Sequence, residues 1–143
     1  MLTYGRQYID QADIDAVVDV LKSPWLTQGD TIASFERGLS KSLACKHACV
    51  VSNGTAALHL TALALGWQTG DVVLTSPITF VASANAILYA GAIPDFVDIN
   101  LCDNTIDIEK LEEKIKEHKR NGNKVKAIVA VDYAGHPCDW KSL

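Results

Sequence analysis

The fold class this sequence predicts is α/β, built on a parallel-rich sheet. Three observations point there. Short apolar runs rich in Val and Ile alternate with helix-like stretches from residue 48 to residue 131. The runs are apolar along most of their length rather than alternating, as strands covered on both faces are. Gly66, Gly70, Gly91 and Gly122 fall between them, where helices end or the chain turns. Repeated β–α order of this kind builds a sheet with helices against it.

The elements follow in order. Asp10 to Lys22 carries Ile14, Val17, Val18 and Leu21 at helical spacing, with Asp10 as N-cap. Ser23-Pro24 ends that helix, because a residue before proline avoids the α region. Trp25 to Gly29 reads as a loop. A second helix is predicted from Thr31 to Ala44, with Ile32, Phe35, Leu39 and Leu43 on one face. Strands are predicted at Ala48–Val51, Val72–Thr75, Ile93–Val97 and Ala127–Val131. Helices are predicted at Thr55–Leu65, Phe80–Ala90 and Ile108–Lys119. No repeat or low-complexity tract interrupts the pattern.

The 143 residues suffice for one domain with one hydrophobic core, and 48% hydrophobic with 21% charged residues reads as soluble and globular. A net charge of −4 gives no reason to expect a nucleic-acid surface. The lysine-rich stretch from Lys110 to Lys126 is interleaved with Glu112, Glu113 and Glu117, so it reads as a solvated helix face. No signal peptide or transmembrane segment is expected. Cys45, Cys49, Cys102 and Cys138 lack CxxC spacing. They read as reduced structural residues, Cys45 ending a helix and Cys49 entering a buried strand, which fits a cytosolic protein. None of His47, His59, His118 and His136 has metal-ligand spacing or is assigned a catalytic role; His59 reads as a partly buried, satisfied side chain.

The stretch from Val50 to Leu60 carries the most chemistry. A β-branched run stops at Ser52-Asn53-Gly54-Thr55 and an Ala/Leu-rich helix begins at once. The free N–H groups and positive dipole end of such a helix suit a phosphate. Gly54 permits close approach and the Thr55 hydroxyl adds a donor. An ordinary capped helix start explains the same residues with nothing bound.

Five blocks then occur in one order: Trp25-Leu26-Thr27-Gln28-Gly29, Ser52 to Leu58, Thr75 to Asn85, Gly91 to Ile99, and Val131-Asp132-Tyr133-Ala134-Gly135. From about Tyr4 to Leu143 the chain resembles the DegT/DnrJ/EryC1/StrS aminotransferases, pyridoxal-phosphate enzymes of fold type I. Within the family it is most similar to the subgroup that aminates C4 of a UDP-linked 4-keto-6-deoxy-N-acetylhexosamine on the way to pseudaminic acid. The resemblance implies the N-terminal portion of the fold type I large domain, a parallel-rich mixed sheet flanked by helices. It divides the chain into an N-terminal helix and active-site loop (1–30) and the first part of the cofactor-binding domain (31–143). It implies that Gly54, Thr55 and Ala56 hold the phosphate of pyridoxal 5′-phosphate and that Phe80 stacks on its ring; from the residues alone, Phe80 reads as a core side chain at a helix start. Thr27 and Gln28 match a loop near the active site, or are a solvated turn. Tyr133, just past a strand end, meets cofactor or sugar, or packs on the sheet edge. The implied partners are a nucleotide sugar, an amino donor such as glutamate, and a second copy in a homodimer.

Two pieces of that chemistry are missing. In the family an Asp-x-x-His-type block supplies the carboxylate for the pyridine nitrogen, and a Ser-x-x-x-x-Lys-type block supplies the Schiff-base lysine. Neither occurs here, and none of the ten lysines follows such a serine. The expectation is that these 143 residues do not transaminate alone. The chain stops in a loop where a crossover helix ought to begin, so it reads as the front of something larger, marginally stable or self-associating through uncovered apolar faces. Two other readings remain: a dehydratase-type relative, with histidine in place of the lysine, or a non-catalytic truncated product that at most binds phosphate. A dinucleotide-binding domain fits poorly, since no GxGxxG is present.

Overall fold

The computed structural model describes residues 5–143. Met1 to Tyr4, and with them the start of the resemblance and the reading of the extreme N-terminus, lie outside the described residues. The chain forms two compact units, which divide between Val50 and Val51.

The first unit holds α1 (Gln11–Lys22) and α2 (Asp30–Ser42). Asp10 caps α1 as its sequence position predicts. Its carboxylate accepts the N–H groups of Ala12 and Asp13, and Asp13 returns a bond to the Asp10 N–H at 3.0 Å. Ser23 ends the helix in extended conformation ahead of Pro24. Neither helix buries a residue; Ile14, Val17 and Leu21 of α1 and Ile32 and Phe35 of α2 are exposed. The helical spacing of these apolar residues marks a face of each helix, and that face is exposed. The strand predicted at Ala48–Val51 does not form. Strands exist through ladders, and the Val50 N–H goes instead to Glu36 Oε1 at 3.0 Å. Cys49 is consequently exposed rather than buried in a strand, and Cys45 is exposed beyond the end of α2.

The second unit begins with α3 (Gly54–Ala64) and continues through β1 (Asp71–Thr75), α4 (Ala82–Tyr89), β2 (Ile93–Phe96), α5 (Ile108–Arg120) and β3 (Lys124–Val129). The strands lie parallel in the order β2-β1-β3, with Val72 opposite Ile93 and Val125. All five residues of β1 are buried, which explains the apolar Val72-Val73-Leu74 at its centre. Its side chains alternate between two layers. Val73 packs with Ala62, Trp67, Ile87 and Ala92 on the α3/α4 face. Val72 and Leu74 pack with Val97, Ile106 and Leu111 on the α5 face. Burying each of these large side chains contributes about 1.5–3 kcal/mol.

β2 is an edge strand, so Ile93 and Phe96 are largely exposed and Pro94 is tolerated. β3 starts three residues before its predicted position. Lys124 extends it by pairing with the buried carboxylate of Asp71 at 3.2 Å, while Ala130 and Val131 leave the ladder. Asp95 of β2 receives Lys114 at 3.1 Å and His118 Nε2 at 2.8 Å from α5. Burial alone would raise the Asp95 carboxyl; Lys114, the Phe96 N–H and His118 outweigh it and hold it below the ordinary value.

Candidate functional site at the carboxyl edge of the sheet

Asn53, in extended conformation, is the N-cap of α3, and its Oδ1 accepts the Ala56 N–H at 2.8 Å. The cap therefore uses one of the amides that the sequence offered to a phosphate. The N–H groups of Gly54 and Thr55, with the Thr55 hydroxyl, have no partner among the described residues. A Cβ at Gly54 would meet no atom within 4 Å, and its φ is not left-handed. Neither packing nor backbone conformation demands glycine there. What it provides is open space against two unpartnered amides at the positive end of a helix dipole. That donor set fits a phosphate dianion.

The helices α3 and α4 pack side by side. Beyond the two helices a Cβ on Gly91 would lie 3.3 Å from Thr69 Oγ1, and His59, midway along α3, stacks edge-on against Tyr89 of α4 at 5.4 Å. Since α4 follows the carboxyl end of β1, both helix N-termini belong to that edge of the sheet. Phe80 stands just before α4 and is 74% exposed, so it is not the core side chain that its neighbourhood in sequence suggested. Its backbone is nonetheless fixed. The buried Ser76 hydroxyl accepts the Ile78 N–H at 3.2 Å, the hydroxyls of Thr79 and Ser83 lie 2.8 Å apart, and the Phe80 carbonyl accepts the Ser83 N–H.

The chain after β3 reaches the same edge. Thr75 Oγ1 donates to the Val129 carbonyl at 2.9 Å, locking the carboxyl ends of β1 and β3 together. Four residues on, Tyr133 opens a single 3₁₀ turn, Tyr133–Gly135, with its side chain 40% exposed. This turn went unread in the sequence, although Asp132 followed by Gly135 is a turn signal. Thr27 and Gln28 belong to the first unit and are exposed. Gln28 holds a left-handed φ of 55°, and Gly29 is needed beside it because a Cβ would lie 2.9 Å from the Trp25 carbonyl.

Cys138 is the buried cysteine of the four, and burial, then Asp132, pushes its thiol up. Among the described residues no group of three His, Cys, Asp or Glu could hold a metal ion, and no helix is long and apolar enough to cross a membrane.

Known proteins share this fold. The chain is 46% identical, over all 143 residues, to the UDP-4-amino-4,6-dideoxy-N-acetyl-beta-L-altrosamine transaminase of Campylobacter jejuni, of which it spans 37%. It superimposes on Helicobacter pylori PseC, an aminotransferase of pseudoaminic acid biosynthesis, with a TM-score of 0.83 and 37% identity, covering 98% of this chain and 36% of that one. The sugar aminotransferase Spr1654 of Streptococcus pneumoniae, described as putative and solved in pyridoxal-phosphate and pyridoxamine-phosphate forms, gives a TM-score of 0.85 at 32% identity over 99% of this chain and 34% of that one. The chain thus spans little more than a third of the relatives it matches. Residues 7–143 match the DegT/DnrJ/EryC1/StrS aminotransferase family, and the chain belongs to it.

Proposed function

We propose that this chain forms the phosphate cup and ring-stacking face of a pyridoxal-phosphate-dependent sugar aminotransferase. The observation that carries the proposal is the pair of unpartnered amides beside the open space at Gly54, on the sheet edge that also bears the exposed ring of Phe80. The Gly54 and Thr55 N–H groups and the Thr55 hydroxyl bind the phosphate dianion. Phe80 lies against the pyridine ring and fixes its plane, a contact worth about 0.5–1.5 kcal/mol beyond burial. Tyr133 meets the cofactor or the sugar from the neighbouring loop, and Thr27 and Gln28 contact the substrate. The cofactor, when bound, supplies an electron sink.

The reaction we propose is transfer of an amino group, from a donor such as glutamate, to C4 of a UDP-linked 4-keto-6-deoxy-N-acetylhexosamine, by a cytoplasmic homodimer. The name of the Campylobacter relative and the role of PseC support that substrate class. The sequence holds no Ser-x-x-x-x-Lys or Asp-x-x-His block, so the proposal gives this chain binding and orientation and expects no turnover from it alone.

Pyridoxamine 5′-phosphate is the appropriate probe, because it lacks the aldehyde that would condense with surface lysines. Equilibrium dialysis against the chain should show saturable binding that inorganic phosphate displaces. Absence of binding contradicts the cofactor reading. Amination of the 4-keto sugar above a cofactor-only control contradicts the expected inactivity.

A further inference from the structure

The loop after β3 is closed on itself by two bonds to one residue. Asp132 Oδ1 accepts the Cys138 N–H at 2.8 Å, and Cys138 Sγ donates to the Val131 carbonyl at 3.2 Å. Residues 131 and 132 are thereby held against residue 138, and the intervening chain is forced into a tight turn. Within it the Gly135 N–H bonds the Asp132 carbonyl at 3.1 Å and the His136 N–H bonds the Tyr133 carbonyl at 2.9 Å. Ala134 is left-handed, with φ 52°, a conformation that a residue bearing a Cβ keeps only when its surroundings impose it. Cys138, 5% exposed, anchors the closure in the protein body.

We propose that Asp132 is a positioning residue: by capping the Cys138 amide it holds the turn that presents Tyr133 at the carboxyl edge of the sheet. Asp132 has no ion-pair partner among the described residues, so its acceptor oxygen rather than its charge does the holding. Asparagine keeps such an oxygen and alanine does not. Only the link from Tyr133 to the cofactor rests on the function proposed above.

The test uses Cys138 as its reporter, in the full chain with the exposed Cys45, Cys49 and Cys102 replaced by serine. Reaction of the remaining thiol with a disulfide reagent, and hydrogen exchange of the 133–136 amides, report opening of the loop. D132A should raise both about tenfold or more, the range set by leaving the Cys138 amide without its acceptor, while D132N stays within about threefold of the parent. Exchange in β1 and α5 should not change, which separates a local clamp from lost global stability. If D132A leaves thiol reaction and loop exchange at parental rates, or if D132N opens the loop as fully as D132A, the proposal is overturned. Pyridoxamine-phosphate binding by the same variants tests the link to the site. Failure of the parent itself to bind removes the cofactor reading, while the thiol and exchange measurements still decide the clamp.

Discussion

At the scale of single residues, the proposed site uses side chains that do little for the fold. Phe80 is 74% exposed, so Phe80→Ala should change stability by less than about 0.5 kcal/mol. It should weaken pyridoxamine-phosphate binding roughly threefold to tenfold, the equivalent of a lost ring contact, and leave inorganic phosphate binding unchanged. Dialysis and urea denaturation measure the two effects separately; equal losses for both ligands would assign Phe80 a structural role instead. Phe80 also shows where sequence reading fails. An aromatic at a helix start is core or stacking face according to what lies over it, and residue type carries neither answer. Gly54 was more legible, because a strand-like run meeting a helix at Asn-Gly-Thr locates free amides whatever surrounds them. The capture of the Ala56 amide by Asn53 was not read, though asparagine is among the strongest N-caps.

Elements were legible where one layer decides them and illegible where a partner does. The central strand β1 and the amphipathic α5 lie within a residue of their predicted bounds, because burial on both faces and a single apolar stripe leave direct periodic signals. The run at Ala48–Val51 has the composition of a strand but no ladder, and composition cannot supply one. Two predictions belong to this scale. Asn53→Ala should lower stability by about 0.5–2 kcal/mol in urea titration, since it removes the cap of α3, while the Gly54 and Thr55 amides remain able to bind phosphate. Asp95, tied to Lys114 and His118, is held below the ordinary carboxylate range in the folded chain. A depressed carboxyl stabilises the fold above the unfolded value and loses that contribution as pH falls through the folded one. The urea midpoint should therefore drop on acidification below about pH 4, and Asp95→Asn should flatten that part of the curve. An unchanged curve in the variant would show that the Asp95 cluster does not link α5 to β2 energetically.

For the molecule as a whole, the parallel sheet and its two helix layers follow from alternation of elements, whereas the family is recognisable only from the five ordered blocks of residues. The exposure of α1 and α2 was not legible, because helical spacing shows a face without saying what meets it. With Ile14, Val17, Leu21, Ile32 and Phe35 exposed, the chain should associate as its concentration rises in sedimentation, and Phe35→Glu should reduce that association. The central claim concerns the cup at the start of α3, and one substitution isolates it. Gly54→Ala places a methyl group where it meets no protein atom within 4 Å and where only a ligand would be touched. Its thermal midpoint should hold or rise, by the equivalent of less than about 1 kcal/mol, since alanine is the better helix former. Its affinity for pyridoxamine 5′-phosphate should fall about tenfold or more, because the added methyl separates the phosphate from charge-assisted amide bonds. A Gly54→Ala chain that melts like the parent and binds the ligand as tightly would contradict the account.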